Sequence, residues 1–329
     1  MNKIQYNIYD HCLNTASSKA KNDVSIILNK FGFNNLYNPS KYRLYRIIQQ
    51  FLSLACLKKD TIIFIQYHSN IAFFYRLLAY MRKVKKVAII HDLESLRHII
   101  SVDEEISLLN GFDVVISHNP NMTRFLKENG FKKLVFDLDI FDYLLDDSIR
   151  VNNSYSKDTV FFAGNLVKSH FLYSLENVGS IKFNLYGPAF DGIDTVVKQS
   201  NVSYWGSFTP TDLISHIEGG WGLVWDGDSI DTCSGIVGEY LKYNNPHKVS
   251  MCIVSERPVI IWSQSAMADY IVNKKIGIVV DSLKDIQSAI QAISDDEYLE
   301  IVENVRKEKA ELTKGKKLEA ILKRVDKVI

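Results

Sequence analysis

The sequence has little of what would assign it quickly. Its four cysteines, Cys12, Cys56, Cys233 and Cys252, lie far apart, with no CxxC pair and no histidine at zinc-ligand spacing. A disulfide framework and a zinc site are both disfavoured, and isolated reduced thiols are the expectation. No long apolar run is present, because the most apolar stretch, residues 62–81, is broken by Gln66, His68, Asn70 and Arg76. The start MNKIQYNIYDH lacks the apolar core of a signal peptide, so the expectation is a cytoplasmic protein with only peripheral contact at the inner face of the cell membrane. Net charge is nearly absent: 39 Lys plus Arg against 38 Asp plus Glu leave +1, and no nucleic-acid partner is implied. GxxxxGK[ST], GxGxxG after the first strand, GxSxG and HExxH are all missing, which disfavours Walker-type, dinucleotide, serine-hydrolase and zincin chemistry. No internal repeat or low-complexity segment is visible.

What is there is a chain of 329 residues, 47% hydrophobic, long enough for about two domains at roughly 150 residues each. Short runs rich in β-branched and aromatic residues recur in the first half: KIQYNIY, TIIFIQY, KVAIIH, DVVIS and KLVFD. The second half adds TVFFAG, IKFNLYG, VSYWG, GLVWD, PVIIW and GIVV. Such runs read as buried parallel strands, each followed by ten or more residues of helical pattern, and the alternation predicts doubly wound α/β sheets. Polar and turn-forming residues cluster over 144–158, which divides the chain into domains 1–150 and 151–329, with one helix-favouring tract over 295–327 in which Gly315 is a candidate break.

Charge is unevenly spread. Residues 1–100 hold 15 Lys or Arg against 5 Asp or Glu, and the remainder is acidic. Two stretches of helical pattern, 42–59 and 71–86, carry much of that excess between apolar residues, so an anionic lipid surface or a phosphorylated substrate is as good a reading as a merely solvated face.

Ligands of open α/β sheets bind at the carboxyl ends of strands, so polar residues there are the candidates. The segment GLVWDGDSIDTCSGIVGEYLKYNNPHKVS, residues 222–250, contains Trp225, Asp226, Asp228, Ser234, Asn245, His247 and Lys248; the alternative is an ordinary solvated loop. Asn245 as N-cap, Pro246 at the first helical position and Lys248 in the first turn would make a helix N-terminus suited to an anion. In KVAIIHDLESLRH, His91 and Asp92 end a strand, and either could be a general base or merely a cap and a core histidine. His118 and Asn119 repeat the situation, with capping by Asn119 the better reading.

The segments VISHNPNMTRFL, FDLDIFDYL, FFAGNL, GLVWDGDSIDTCSG, GEYLKYNNPHKVS, ERPVIIW, AMADYIVNKKIG and ASSKAKND resemble, nearly end to end, those of bacterial β-1,6-galactofuranosyltransferases of O-antigen assembly. More distantly, IIHD, the AGN turn, GLVWD, the Lys248 region and the PVI strand are similar to streptococcal glucosyltransferases that extend adhesin glycans. The resemblance implies GT-B architecture, two Rossmann-like domains facing a cleft. It also implies inverting transfer of galactofuranose from UDP-galactofuranose to a lipid-linked oligosaccharide in lipopolysaccharide biosynthesis. A UDP-glucose or other UDP-hexose donor is the alternative, and a sugar-nucleotide-binding subunit without activity is the non-enzymatic one. By resemblance, Gly164, Asn165, Lys168, Tyr186 and Lys248 meet the donor, and Thr15, Ala16 and Lys19 belong to an acceptor-side loop. No cofactor is implied. Asp226-Gly227-Asp228 looks like a metal-binding DxD, yet a helix dipole with two lysines can neutralise a diphosphate, so no metal is expected. A homo-oligomer is compatible with the sequence. Periplasmic-type binding proteins and some epimerases share such folds, so fold alone assigns no activity.

Overall fold

The computed structural model describes residues 2–6, 16–36, 40, 42–67, 81, 83–152 and 155–329. Its strands form two six-stranded sheets in which every pairing is parallel. The first contains β1 (Asn2–Tyr6), β2 (Asn34–Asn35), β3 (Thr61–Tyr67), β4 (Val84–Ile90), β5 (Val114–Ser117) and β6 (Leu134–Asp137), in the order β2-β1-β3-β4-β5-β6. The second contains β7 (Thr159–Ala163), β8 (Lys182–Tyr186), β9 (Val202–Tyr204), β10 (Trp221–Val224), β11 (Val259–Trp262) and β12 (Gly277–Val280), in the order β12-β11-β10-β7-β8-β9. Counted from β7, that is the 3-2-1-4-5-6 order of a Rossmann sheet.

The eleven apolar runs read from the sequence all form strands, because a parallel sheet covered on both faces demands residues that bury either way. All seven residues of β3 are buried, and β3 pairs with β4 from Thr61↔Val84 to Tyr67↔Ile90. The two strands therefore end level, and His91 N donates to Tyr67 O at 3.2 Å across their carboxyl edge. Two-residue β2, parallel to β1, was not foreseen; Asn34 and Asn35 are exposed and carry no apolar signal.

Two expectations about helices change, and the break expected at Gly315 is present. Residues 71–80 and 82 of the second basic stretch lie outside the described residues, and its end, Val84-Lys85-Lys86, is the start of β4, where β-branched valines and buried neighbours override the helical spacing. The connections after β7 and β8 are not long helices. They are 3₁₀ turns at Leu166–Lys168 and His170–Asn177 and a four-residue helix at Ile193–Val196. The C-terminal tract is two helices, Asp295–Leu312 and Lys316–Val325, parted where Gly315 takes φ +77.

The chain divides into two compact units. One comprises β1, Ala20–Ile140 and Lys317–Ile329; the other comprises the start of α1 (Ala16–Lys30) up to Lys19 and Phe141–Lys316. This differs from a division at 150/151 in three places: the start of α1 and residues 141–150 belong with the second unit, and the last helix belongs with the first. Its buried Leu318, Ile321, Leu322 and Val325 repeat at helical spacing. Arg324 stacks over the Phe136 ring at 4.5 Å, and Asp326 pairs with Lys3 at 2.7 Å.

Candidate functional site

Strand order in the second sheet reverses between β7 and β10, the place where open α/β sheets take their ligands. After β7, Gly164-Asn165 turn the chain, and Asn165 Oδ1 caps the following 3₁₀ turn by accepting from Val167 N at 3.1 Å. After β8, Gly187 packs against that turn: a Cβ on it would stand 2.2 Å from Gly164 O, so only glycine lets the two loops approach. On the other side β10 runs into Trp225-Asp226, and the helix His247–Val254 begins beside it.

Lys248, in the first turn of that helix, reaches across the gap. Its Nζ donates to Asp226 Oδ1 at 2.6 Å and Trp225 O at 3.1 Å, and lies 4.7 Å from the centre of the Phe162 ring. Its Cε passes over Gly164, where a Cβ would stand 3.1 Å away. Next to the ammonium is a cavity of ≈ 500 Å³ walled by Gly164, Asn165, Tyr186, Phe208, His247 and Lys248, with Ser17, Tyr143 and Met251 also lining it. All of these residues belong to the second unit.

The walls are mostly apolar and uncharged. Tyr186 spends its hydroxyl on structure, donating to His216 O at 3.1 Å and accepting from Glu218 N at 2.9 Å, and burial pushes its pKa up to about 12. What it offers a ligand is a ring face. His247 stacks on Tyr143 with ring centres 5.0 Å apart, and its Nε2 is buried with no hydrogen-bond partner. Burial, and after it the nearby charge of Lys19, pull the His247 pKa down to about 3, so the imidazole is neutral. Lys19 itself lies 4.5 Å from the Tyr143 ring centre and donates to Leu144 O at 2.7 Å.

Of the residues singled out from the sequence, Gly164, Asn165, Tyr186, His247 and Lys248 come together in this cavity. Others do not line it. Trp225 is fully buried in the core, its Nε1 donating to Ser229 O at 2.9 Å, so only its carbonyl serves the site. Asp226 acts as the partner of Lys248, while Asp228 turns away to His170 Nδ1 at 3.1 Å; among the described residues no three His, Cys, Asp or Glu side chains gather as metal ligands. Ser234 starts the helix Gly235–Tyr240 with no side-chain cap, its carbonyl against Gly227. Lys168 is exposed at the end of its turn. Asn245 is not the N-cap: Pro246 holds that position in an extended conformation, and Asn245 is buried one residue earlier. Thr15 lies outside the described residues, and Ala16 begins α1. Ser17, Tyr143, Phe208 and Met251 were missed; Ser17 and Tyr143 fall inside the segments that carry the resemblance, whereas nothing local marks Phe208 or Met251.

In the first unit, Asp92 Oδ2 lies 3.4 Å from Arg97 Nη1, and neither of the helical turns that follow uses it as a cap: Glu94 and Ser101 hold those positions. His91 Nε2 is 2.7 Å from Gln66 Oε1. His118 is buried with Nε2 3.0 Å from Ile90 O, burial lowering its pKa to about 4, and Asn119 caps its helix as expected, accepting from Met122 N at 3.0 Å.

The two families of domain that fit this chain are described as glucosyltransferase 3-like, N-terminal domain, over residues 3–140, and glucosyltransferase 3-like, C-terminal domain, over residues 160–325. The chain belongs to the glucosyltransferase 3-like family. The β-1,6-galactofuranosyltransferase WbbI of Escherichia coli K12 is 37% identical over 241 residues, 72% of this chain and 68% of WbbI. Glucosyltransferase 3 of Streptococcus gordonii is 24% identical over 92% of this chain and 91% of its own. Among solved structures, a UDP-forming α,α-trehalose-phosphate synthase from Burkholderia vietnamiensis superposes with a TM-score of 0.61 over 99% of both chains at 11% identity, a likeness of fold alone. The glucosyltransferase 3-like protein has the GT-B fold and is a glycosyltransferase.

The neutral buried histidine has a thermodynamic consequence. Below about pH 6.5 the unfolded chain protonates His247 while the folded protein does not until about pH 3, so stability present above 6.5 is lost as pH falls through that window. Between pH 7 and 5 the free energy of urea unfolding should drop, and in His247→Gln that drop should be smaller by about 2 kcal/mol. An identical drop in both proteins would mean that the imidazole is protonated in the fold.

Proposed function

We propose that the protein is an inverting transferase that moves galactofuranose from UDP-galactofuranose to a sugar hydroxyl of a growing, lipid-linked bacterial surface polysaccharide. The observation that carries this reading is Lys248, an ammonium in the first turn of a helix, at the switch point of a Rossmann sheet and beside a largely apolar cavity. UDP leaves with charge growing on its terminal phosphate. A helix N-terminus with unpaired N–H groups and a lysine would stabilise that charge, and the faces of Tyr186 and Phe208 suit a planar base. The 37% identity with a β-1,6-galactofuranosyltransferase supports the choice of galactofuranose, and the family descriptions favour UDP-glucose as the second reading. Pure protein given a panel of UDP-sugars should release UDP fastest from UDP-galactofuranose. Preference for UDP-glucose would select the second reading, and release from none would leave a binding subunit.

Lys248→Ala should lower turnover by about 10² to 10³, the usual cost of removing one donor aimed at developing charge. Wild-type turnover in that variant would remove Lys248 from the leaving-group site. With Asp226 turned to Lys248 and Asp228 to His170, turnover should also survive EDTA; loss in EDTA and rescue by manganese would instead make the two carboxylates ligands.

Inversion needs a base for the acceptor hydroxyl, and Asp92 is the better of the two strand-end candidates. The Gln66 amide donates to Lys21 O at 3.0 Å and Ser25 Oγ at 2.9 Å, which turns its Oε1 to His91 and requires a proton on His91 Nε2. Asp92→Asn should reduce kcat by roughly 10² to 10⁴ with UDP-sugar affinity nearly unchanged. An active Asp92→Asn together with an inactive His91→Ala would reverse the assignment.

A further inference from the structure

We infer that helix α2 (Arg43–Ala55) is a docking element that lies flat on an anionic lipid surface. Leu44, Tyr45, Ile48, Phe51 and Leu52 recur at i, i+1, i+4, i+7 and i+8, one broad stripe of a helix. A stripe of this kind normally faces a core. Here it faces outward: Leu44 is 78% exposed, Leu52 62% and Ile48 53%, while Leu54 is the one buried side chain among those described in α2 and joins the first unit's core. Large apolar side chains contiguous on a surface mark a contact made with something else.

The composition of the segment that carries the stripe says what that is. Residues 24–59 hold Lys30, Lys41, Arg43, Arg46, Lys58 and Lys59 and not one Asp or Glu. A second copy of the chain seated on α2 would bring the same acid-free, cation-rich segment against itself. A layer of anionic headgroups over acyl chains answers both features at once, the apolar stripe entering the acyl boundary and the cations meeting the headgroups. Thirteen residues span about 20 Å, too short to cross a bilayer, and no helix among the described residues is long and apolar enough to do so, which leaves the plane of the interface. The inference rests on this surface alone and stands whichever UDP-sugar is the donor.

Flotation of the full-length protein with vesicles tests it. Vesicles of about 30% phosphatidylglycerol in phosphatidylcholine should carry the protein at least about tenfold better than phosphatidylcholine alone in low salt, and the difference should collapse at about 0.5 M salt. Leu44→Ser, Ile48→Ser and Leu52→Ser together should reduce binding about tenfold or more at unchanged UDP-sugar affinity. Arg43→Gln with Arg46→Gln, which leaves the apolar stripe whole, should weaken binding only to the anionic vesicles. The inference is overturned by a wild-type protein that floats with neither vesicle or with both equally, by a triple variant that binds like wild type, or by a wild-type dimer in sedimentation that the triple variant dissolves.

Discussion

Lys248 leaves the first turn of its helix and ends 2.6 Å from Asp226 and 3.1 Å from the carbonyl of Trp225, spanning the gap where the second sheet reverses direction. An ammonium with so little exposure is costly to desolvate unless its protons are taken, and here a carboxylate and a carbonyl take two of them. The arrangement constrains three strands at once. β10 must deliver a carbonyl and a carboxylate in succession, the turn after β7 passes close under the lysine stem at Gly164, and the turn after β8 must be glycine so that it can lie against the first. Trp225 closes the set by burying its indole on the other side of the backbone and tethering the next loop through Ser229. An anion arriving near Nζ competes with Asp226 for the same protons, so the ion pair both preorganises the lysine and sets how hard it is to recruit.

The first unit solves the same problem with the opposite charge. Glu105, buried on the helix Val102–Leu109, accepts from Glu94 N at 3.0 Å and from Ser95 N at 3.0 Å, and also from Ser95 Oγ at 2.5 Å. Burial pushes its carboxyl up, and the bonds from the 94–95 segment oppose that. The loop so held is the one that follows His91 and Asp92. In both units, then, a strand-end loop is fixed from behind by a charged side chain withdrawn from solvent.

How much of this was legible in the sequence depended on the range of the cause. A strand buried on both faces announces itself in a continuous apolar run, so β3 was found to the residue and the parallel class followed. The Lys248 turn was legible because a proline before a helix constrains its own neighbourhood, although the cap moved from Asn245 to Pro246. Tyr143, Phe208 and Met251 were not legible, because what joins them is the folding of distant segments onto one wall, and spacing along the chain holds no trace of it. Trp225 was misjudged for a related reason: neighbours at a strand end point to opposite sides, and whether the indole or the carboxylate turns to Lys248 is decided by the packing behind them. The connection after β7 was misjudged because its apolar residues, Phe171, Leu172 and Leu175 among them, are buried in 3₁₀ turns and not along one face of an α-helix.

The last helix, Lys316–Val325, completes the unit that the first strand begins. During synthesis at the ribosome, the segment up to Ile140 emerges long before Leu318, Ile321 and Leu322 exist to cover its apolar surface. The half begun first is therefore completed only when that helix has been made, and until then part of its apolar surface stays uncovered. Cutting the gene after the second sheet would not yield two independent halves; it would leave one of them permanently at that stage.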